Sequence, residues 1–143
     1  MIKVDPSLFR GPNPTWDDVI IFVGLARKFH PGKRPTILNL QTHDSNDELS
    51  WCRTHGVQLI NMDLPGIRCP EFRDIKLAVD IIADLSLRPL YVHCRHGRER
   101  TGLVIARYRM TCGWSATDAA AEMRAMGCRW PWSWIYTHGG GVR

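Results

Sequence analysis

The sequence lacks the cysteine pattern of a disulfide framework or of a zinc module. Its 143 residues include five cysteines, an odd number at irregular spacings, with no CxxC pair. Disulfide scaffolds carry even numbers of cysteines, and zinc ribbons carry CxxC pairs. We therefore expect reduced thiols. We also expect no metal site, because His93, Cys94 and His96 have no fourth ligand at a suitable spacing.

Long apolar runs are missing as well. The longest, residues 19–26, is too short to span a bilayer, and the segment that follows Met1 does not resemble a signal peptide. The chain contains no internal repeat, no low-complexity tract and no linker-like stretch. We expect a single domain over residues 1–143, with a Trp-rich tail at 129–143. We further expect a cytoplasmic monomer with no membrane partner.

The chain has no long stretch in which charges of one sign are concentrated. Its net charge is +5, and the basic residues do not form a stripe. This balance suits an anionic substrate or a basic surface, and by itself it does not indicate a nucleic-acid partner.

What the sequence does contain is an alternation of strand-like and helix-like segments. The strand-like segments are SLFRG, TILNL, VQLINMDL and PLYVHC, the last of them apolar enough to be central. Between and after them come helical patterns, one capped by Thr15 and one capped by Ser115. A further helix opens at Asp44 or Ser45 and closes at Gly56. This order predicts an α/β fold with a central, mostly parallel sheet flanked by helices.

The segment PEFRDIKLAVDIIADLS is an amphipathic helix by its spacing of apolar residues. Its predicted buried positions are Ile75, Ala78, Val79, Ile82 and Leu85.

The stretch YVHCRHGRERTG, residues 91–102, runs from a buried strand through a short basic loop into a helix that starts near Thr101. In α/β sheets, ligands bind at the carboxyl ends of strands. Backbone N–H groups of such a loop can form an anion cradle, and the helix dipole adds positive potential. We expect Cys94 to be a thiolate near neutral pH. Arg100 can grip two oxygens of a tetrahedral anion, and Gly97 allows close approach.

The order His93-Cys94, five residues, Arg100-Thr101-Gly102 resembles the signature of the cysteine-dependent phosphatases, the protein tyrosine and dual-specificity superfamily. Four further segments resemble the small bacterial or phage-type dual-specificity members, so that the resemblance extends to about residue 128. These segments are LFRGPNPTWDD, RPTILNLQ, GVQLINMDLPG and GLVIARYRMTCGWSATDAAAEMRAMG.

The resemblance implies a role for each residue of the signature. Cys94 would attack phosphorus and form a cysteinyl-phosphate intermediate, and Arg100 would bind substrate and stabilise the transition state. Thr101 would hydrogen-bond the departing thiolate, and His93 would support the loop from beneath. No metal or organic cofactor is implied. The implied substrate-binding residues are Arg95, His96, Gly97, Arg98, Glu99 and Arg100.

One position departs from the family pattern. The general acid of these enzymes is usually an aspartate about thirty residues before the nucleophile, and Gly66 occupies that place in LPGIRCPEF. Asp63, Glu71 and Asp74 are the nearby carboxylates. Asp63 ranks first because it follows the end of a strand that points to the same edge of the sheet.

The sequence is compatible with several functions. A phosphatase that acts on phosphoprotein is the leading hypothesis, and RNA 5′-phosphatase and phosphoinositide phosphatase are alternatives on the same fold. Nucleic acid would then enter only as an RNA 5′ end. A rhodanese-type sulfurtransferase is disfavoured because its loop arginine would fall at Glu99. A non-catalytic phosphate-binding module is disfavoured by the intact signature, although the missing acid favours it.

Several side chains near the signature allow two interpretations of their role. Arg95 and Arg98 could be solvated loop charges or phosphate ligands, and His96 could simply cap the loop. Cys69 is expected to be a surface thiol rather than a disulfide partner of Cys94. The aromatic residues of the tail are expected to pack on the body rather than to bind ligand. These are Trp130, Trp132 and Trp134.

Overall fold

The computed structural model describes residues 1–41 and 46–130. Its strands are β1 (Ile2–Asp5), β2 (Leu8–Gly11), β3 (Thr36–Asn39), β4 (Gln58–Asn61) and β5 (Leu90–His93). Its α-helices are α1 (Trp16–Phe29), α2 (Asn46–His55), α3 (Phe72–Ala83), α4 (Arg100–Thr111) and α5 (Ala116–Ala125). A short 3₁₀ turn, Leu85–Leu87, lies between α3 and β5. No described helix is both long and apolar enough to cross a bilayer.

The strands form one sheet in the order β1-β2-β5-β3-β4. Strands β2, β5, β3 and β4 run parallel to one another, which confirms the predicted α/β fold and the central position of β5. Strand β1 pairs antiparallel with β2 and was not predicted from the sequence. Because the parallel strands share one direction, Gly11, Asn39 and His93 end side by side at one edge.

Alternate residues of β5 face two different apolar cores. Leu90, Val92 and Cys94 join the core formed with α3, α4 and α5. Tyr91 faces the other side, where Phe22 of α1 and other apolar side chains cover the sheet. This alternation follows from the period of two in a strand, and it places helices on both faces.

The predicted caps of α1 and α5 and the predicted end of α2 are confirmed. The Thr15 hydroxyl accepts from the Asp18 N–H, and the Asp18 carboxylate accepts from the Thr15 N–H. Ser115 caps α5 in the same way through the Asp118 N–H. The helix α2 ends before Gly56, as predicted. The predicted caps Asp44 and Ser45 lie outside the described residues.

One core prediction is wrong. Ile75, Ala78, Val79 and Ile82 are buried as the helical spacing predicted, but Leu85 is 74% exposed. The helix α3 ends at Ala83, and the chain turns through the 3₁₀ segment, so Leu85 leaves the apolar face.

Candidate active site

The nucleophile candidate, Cys94, lines a cavity of about 270 Å³ at the carboxyl end of β5. Cys94 is only 2% exposed and directly follows the strand. The loop after it leads into α4, whose first residue is Arg100. A helix that begins beside a cavity directs unsatisfied N–H groups and a positive dipole toward it. The cavity is lined by Gly66, Ile67, Cys94, Arg95, His96, Glu99, Arg100 and Trp130.

Arg100 connects the cavity to the loop between β4 and α3. Its Nη1 donates to the Leu64 carbonyl oxygen at 3.2 Å. A Cβ on Gly66 would lie 3.3–3.5 Å from the guanidinium carbon and nitrogens, so this glycine packs directly against the Arg100 head group. The position where the sequence lacks an acid therefore faces the residue expected to bind the phosphoryl oxygens.

The predicted substrate-binding residues divide into two groups. Arg95, His96, Glu99 and Arg100 line the cavity with Cys94. Gly97 and Arg98 line a smaller cavity of about 120 Å³ with Arg10 and Gly11 instead. His96 lines both cavities, whereas Gly97 and Arg98 line only the smaller of the two.

Gly97 is the tightest point of the loop. Its φ is +70°, and a Cβ would lie 2.5 Å from the Gly11 carbonyl oxygen and 2.7 Å from the Pro12 nitrogen. The Asn13 N–H also donates to the Arg95 carbonyl oxygen at 3.1 Å. The segment after β2 thus lies against the loop, and only glycine combines this φ with such close approach.

His93 is held from beneath by a buried carboxylate. Its Nε2 lies 2.8 Å from a Glu48 carboxylate oxygen of α2, and both side chains are almost fully buried. Its ring also stacks on Tyr91, with centroids 5.7 Å apart. Burial, together with the negative charge of Glu48, raises the pKa of the neighbouring Cys52 thiol to about 12. His93 is thus placed for the supporting role that the resemblance implies.

Thr101 is fully buried in the first turn of α4. Within the described chain its hydroxyl has no hydrogen-bond partner. A buried hydroxyl without a partner costs free energy, which suits a group whose partner changes during a reaction.

The carboxylates considered as the general acid lie outside the cavity that holds Cys94. Asp63 is exposed, two residues after the end of β4. Glu71 directly precedes α3 without a side-chain capping hydrogen bond, and its carboxylate pairs with Arg73 at 3.2 Å on the surface. Asp74 is half-buried in the first turn of α3.

The sequence also predicts the surroundings of the remaining cysteines and of three tryptophans. None of the five cysteines, all of which are described, forms a disulfide, and Cys69 is exposed at the surface as expected. Trp130 packs against the core, as expected, and also lines the cavity. Trp132 and Trp134 lie outside the described residues. No cluster of potential metal ligands occurs in residues 1–41 and 46–130.

Two functional candidates were not indicated by the motif. Arg10 of β2 is 2% exposed and donates from Nη2 to the Gly97 carbonyl oxygen at 3.0 Å. Glu48 of α2 contacts His93. Both residues lie far from the signature in the chain. The one sequence feature that could have indicated Arg10 is its charge inside an otherwise apolar strand.

A buried thiol directly after a central strand, a loop of five residues and an arginine that opens the next helix form the arrangement that the resemblance to the cysteine-dependent phosphatases implies. The family model described as a DSP-PTPase phosphatase fused to NAD⁺ kinase matches residues 32–130. The chain belongs to this family of phosphatase domains.

Relatives in sequence include two kinds of phosphatase. The chain is 30% identical over 84 residues to inositol diphosphatase DSP1 of Oryza sativa subsp. japonica, covering 55% of this chain and 36% of that protein. It is 23% identical over 128 residues to the dual-specificity protein phosphatase TpbA of Pseudomonas aeruginosa, covering 89% of this chain and 54% of TpbA. The chain therefore spans about half or less of these relatives.

Solved structures show the same fold. The crystal structure of TpbA has a TM-score of 0.77 at 23% identity, covering 98% of this chain and 84% of that chain. TpbA has also been solved in complex with phosphotyrosine. The catalytic core of the PP-IP phosphatase SIW14 from S. cerevisiae has a TM-score of 0.75 at 16% identity, covering 96% and 86% of the two chains.

Proposed function

We propose that this protein is a phosphohydrolase that uses Cys94 as its nucleophile and forms a cysteinyl-phosphate intermediate. The observation that carries the proposal is that Cys94, a buried thiol, and Arg100 line the same cavity. The cavity combines a buried sulfur with a helix N-terminus and an arginine, the groups that a phosphoryl ester requires for binding and attack.

The proposed reaction has two steps. The Cys94 sulfur attacks phosphorus, the S–P bond forms, and the P–O bond to the leaving group breaks while Arg100 stabilises the equatorial oxygens. Water then attacks the phosphocysteine, the S–P bond breaks, and the Thr101 hydroxyl donates a hydrogen bond to the departing thiolate. Inorganic phosphate is released, and no metal or cofactor takes part.

The walls of the cavity favour an aryl phosphate such as phosphotyrosine. Ile67, which is 95% exposed, and Trp130 supply apolar surface beside Cys94. Position 66 carries no carboxyl group that could protonate a leaving oxygen. General acid catalysis contributes about 10²–10⁴-fold and is needed most for poor leaving groups. Aryl oxides leave readily and serine alkoxides do not, so we propose phosphotyrosine as the protein substrate and Asp63 as the acid to be tested first.

A second candidate substrate is a phosphoanhydride on a small polyphosphorylated molecule, such as an inositol diphosphate. A cavity of about 480 Å³ adjoins the first, shares Arg95 and Arg100 with it, and adds Arg68 and Gln41. Clustered arginines suit a ligand with several phosphates. Like an aryl phosphate, a phosphoanhydride has a good leaving group, so it also tolerates the missing acid.

A substrate panel tests these proposals. Phosphotyrosine peptide, phosphoserine peptide, an inositol diphosphate, a phosphoinositide and 5′-triphosphorylated RNA are each incubated with the parent protein and with Cys94→Ser. We expect turnover of phosphotyrosine, little turnover of phosphoserine, and none of any substrate by Cys94→Ser. The serine variant should retain phosphate-analogue binding, because the loop and Arg100 remain.

Two surface variants separate the two candidate substrates. Trp130→Ala should lower kcat/KM for phosphotyrosine more than for an inositol diphosphate, whereas Arg68→Ala should do the reverse. Turnover by Cys94→Ser, or turnover of thiosulfate with none of any phosphate ester, would contradict the proposed reaction. Phosphoserine turnover equal to that of phosphotyrosine would contradict the aryl preference.

A further inference from the structure

Arg10 is a charged side chain buried beneath the signature loop. It lies on β2, the strand next to β5, and is 2% exposed. Its Nη2 donates to the Gly97 carbonyl oxygen at 3.0 Å, across 87 residues of sequence. Neither the proposed chemistry nor the signature motif accounts for this residue.

A carbonyl group of an anion-binding loop requires a donor outside the loop. When successive N–H groups of a loop turn toward an anion, the carbonyl groups turn away from it, and a buried carbonyl needs its own hydrogen bond. Gly97, with φ of +70°, directs its carbonyl toward β2, where the Arg10 guanidinium donates a hydrogen bond to it. A charge-assisted hydrogen bond there holds the loop more firmly than a neutral one.

The ionisable groups that act on the buried Arg10 guanidinium are of both signs. The described groups that act on Arg10 electrostatically are Glu122, Cys94, Arg109 and Cys128. The Glu122 carboxylate already accepts two hydrogen bonds of 3.2 Å from Arg109. Burial raises the pKa of Cys128, so that thiol stays neutral. A buried guanidinium without a counter-charge is unfavourable, and burial accordingly lowers the pKa of Arg10.

We infer that Arg10 is a positioning residue, which fixes the signature loop through the Gly97 carbonyl and so keeps the loop N–H groups turned toward the cavity that holds Cys94. This inference rests on the proposed role of Cys94 as nucleophile. It assigns to the segment before α1 a part in the site that is separate from the phosphate-binding role of Arg100.

The test compares Arg10→Met and Arg10→Lys with a matched control, Arg88→Met. Arg88 is likewise buried, at 5% exposure, and donates to the Ile82 carbonyl oxygen and the Tyr108 hydroxyl, but it precedes β5 at the opposite end of the strand from Cys94. Three readouts are taken at neutral pH: the rate at which iodoacetamide alkylates Cys94, measured by mass spectrometry; orthovanadate affinity; and kcat and KM on p-nitrophenyl phosphate. Melting temperature is recorded for each variant.

Arg10→Met should slow Cys94 alkylation and lower kcat by about tenfold or more, the order expected when one charge-assisted hydrogen bond is lost. Arg10→Lys keeps a charged donor but not the planar fork, so it should recover part of the alkylation rate and part of the vanadate affinity. Arg88→Met should lower the melting temperature without slowing alkylation.

Alkylation and vanadate binding in folded Arg10→Met that match those of Arg88→Met would overturn the inference. If Arg10→Met does not fold, Arg10→Lys decides: an alkylation rate and a vanadate affinity equal to those of the parent would also overturn it. Failure of the proposed function looks different. The parent would then turn over no phosphate ester, while the alkylation difference between the Arg10 variants and the Arg88 control could still be measured.

Discussion

Replacing Gly97 with alanine tests whether the close contact between the signature loop and the segment after β2 determines activity. The added Cβ would lie 2.5 Å from the Gly11 carbonyl oxygen and 2.7 Å from the Pro12 nitrogen. Both are backbone atoms, so no side-chain rotation relieves the overlap. Favourable contacts between non-bonded heavy atoms lie at about 3.5–4.0 Å, so the loop must move by about 1 Å.

The cost has two parts that can be measured separately. Alanine at a φ of +70° should cost about 1–2 kcal/mol of stability. A displacement of about 1 Å near the reacting atoms should reduce kcat/KM by about 10²-fold. The assays are denaturant unfolding for stability and p-nitrophenyl phosphate turnover for activity.

Gly32 provides the matched control. Its φ is +78°, but nothing lies within 4 Å of the position where a Cβ would be added. Gly32→Ala should therefore lose about 1–2 kcal/mol through backbone strain alone and keep parental turnover. If Gly97→Ala and Gly32→Ala have the same turnover, the loop is not positioned by its contact with Gly11 and Pro12, and the reasoning fails.

Two further predictions concern individual side chains. Arg100→Lys should lose most of its vanadate affinity and turnover, because lysine keeps the charge and lacks the two-pronged donor; parental kinetics in this variant would show that the anion is held elsewhere. Asp63→Asn should slow aryl phosphate turnover and remove the alkaline limb of its pH profile if Asp63 is the acid. A parental profile for Asp63→Asn beside an altered one for Glu71→Gln or Asp74→Asn would move the acid to the start of α3.

The sequence predicted the parallel part of the sheet because its strands are short, apolar and bounded by turn residues. It did not predict β1, whose residues are exposed or only half-buried and which pairs with β2 at the edge of the sheet. An edge strand of this kind has a weak apolar pattern, since one face lies in solvent. Leu85 was misplaced for a different reason: helical spacing continued in the sequence after the helix itself had ended.

The site was predicted where its chemistry is local and missed where it is not. Cys94 and Arg100 belong to one loop, so their spacing and residue types were sufficient. Arg10 and Glu48 act through contacts between different elements, and a charged residue in a strand or helix is usually exposed. Their burial follows from how β2 and α2 pack against β5, which no local pattern reports.

The contact between Arg10 and Gly97 has a consequence for how the site forms during folding. The two residues are 87 positions apart, so the chain must close a long loop before the signature acquires its partner. The family match begins at residue 32, and a fragment cut there would keep Cys94, Arg100 and the helix after them but lose Arg10. A local opening that separates β2 from β5 would have the same effect without unfolding the rest of the sheet. Catalytic competence would then follow the docking of the amino-terminal hairpin rather than the presence of the signature itself.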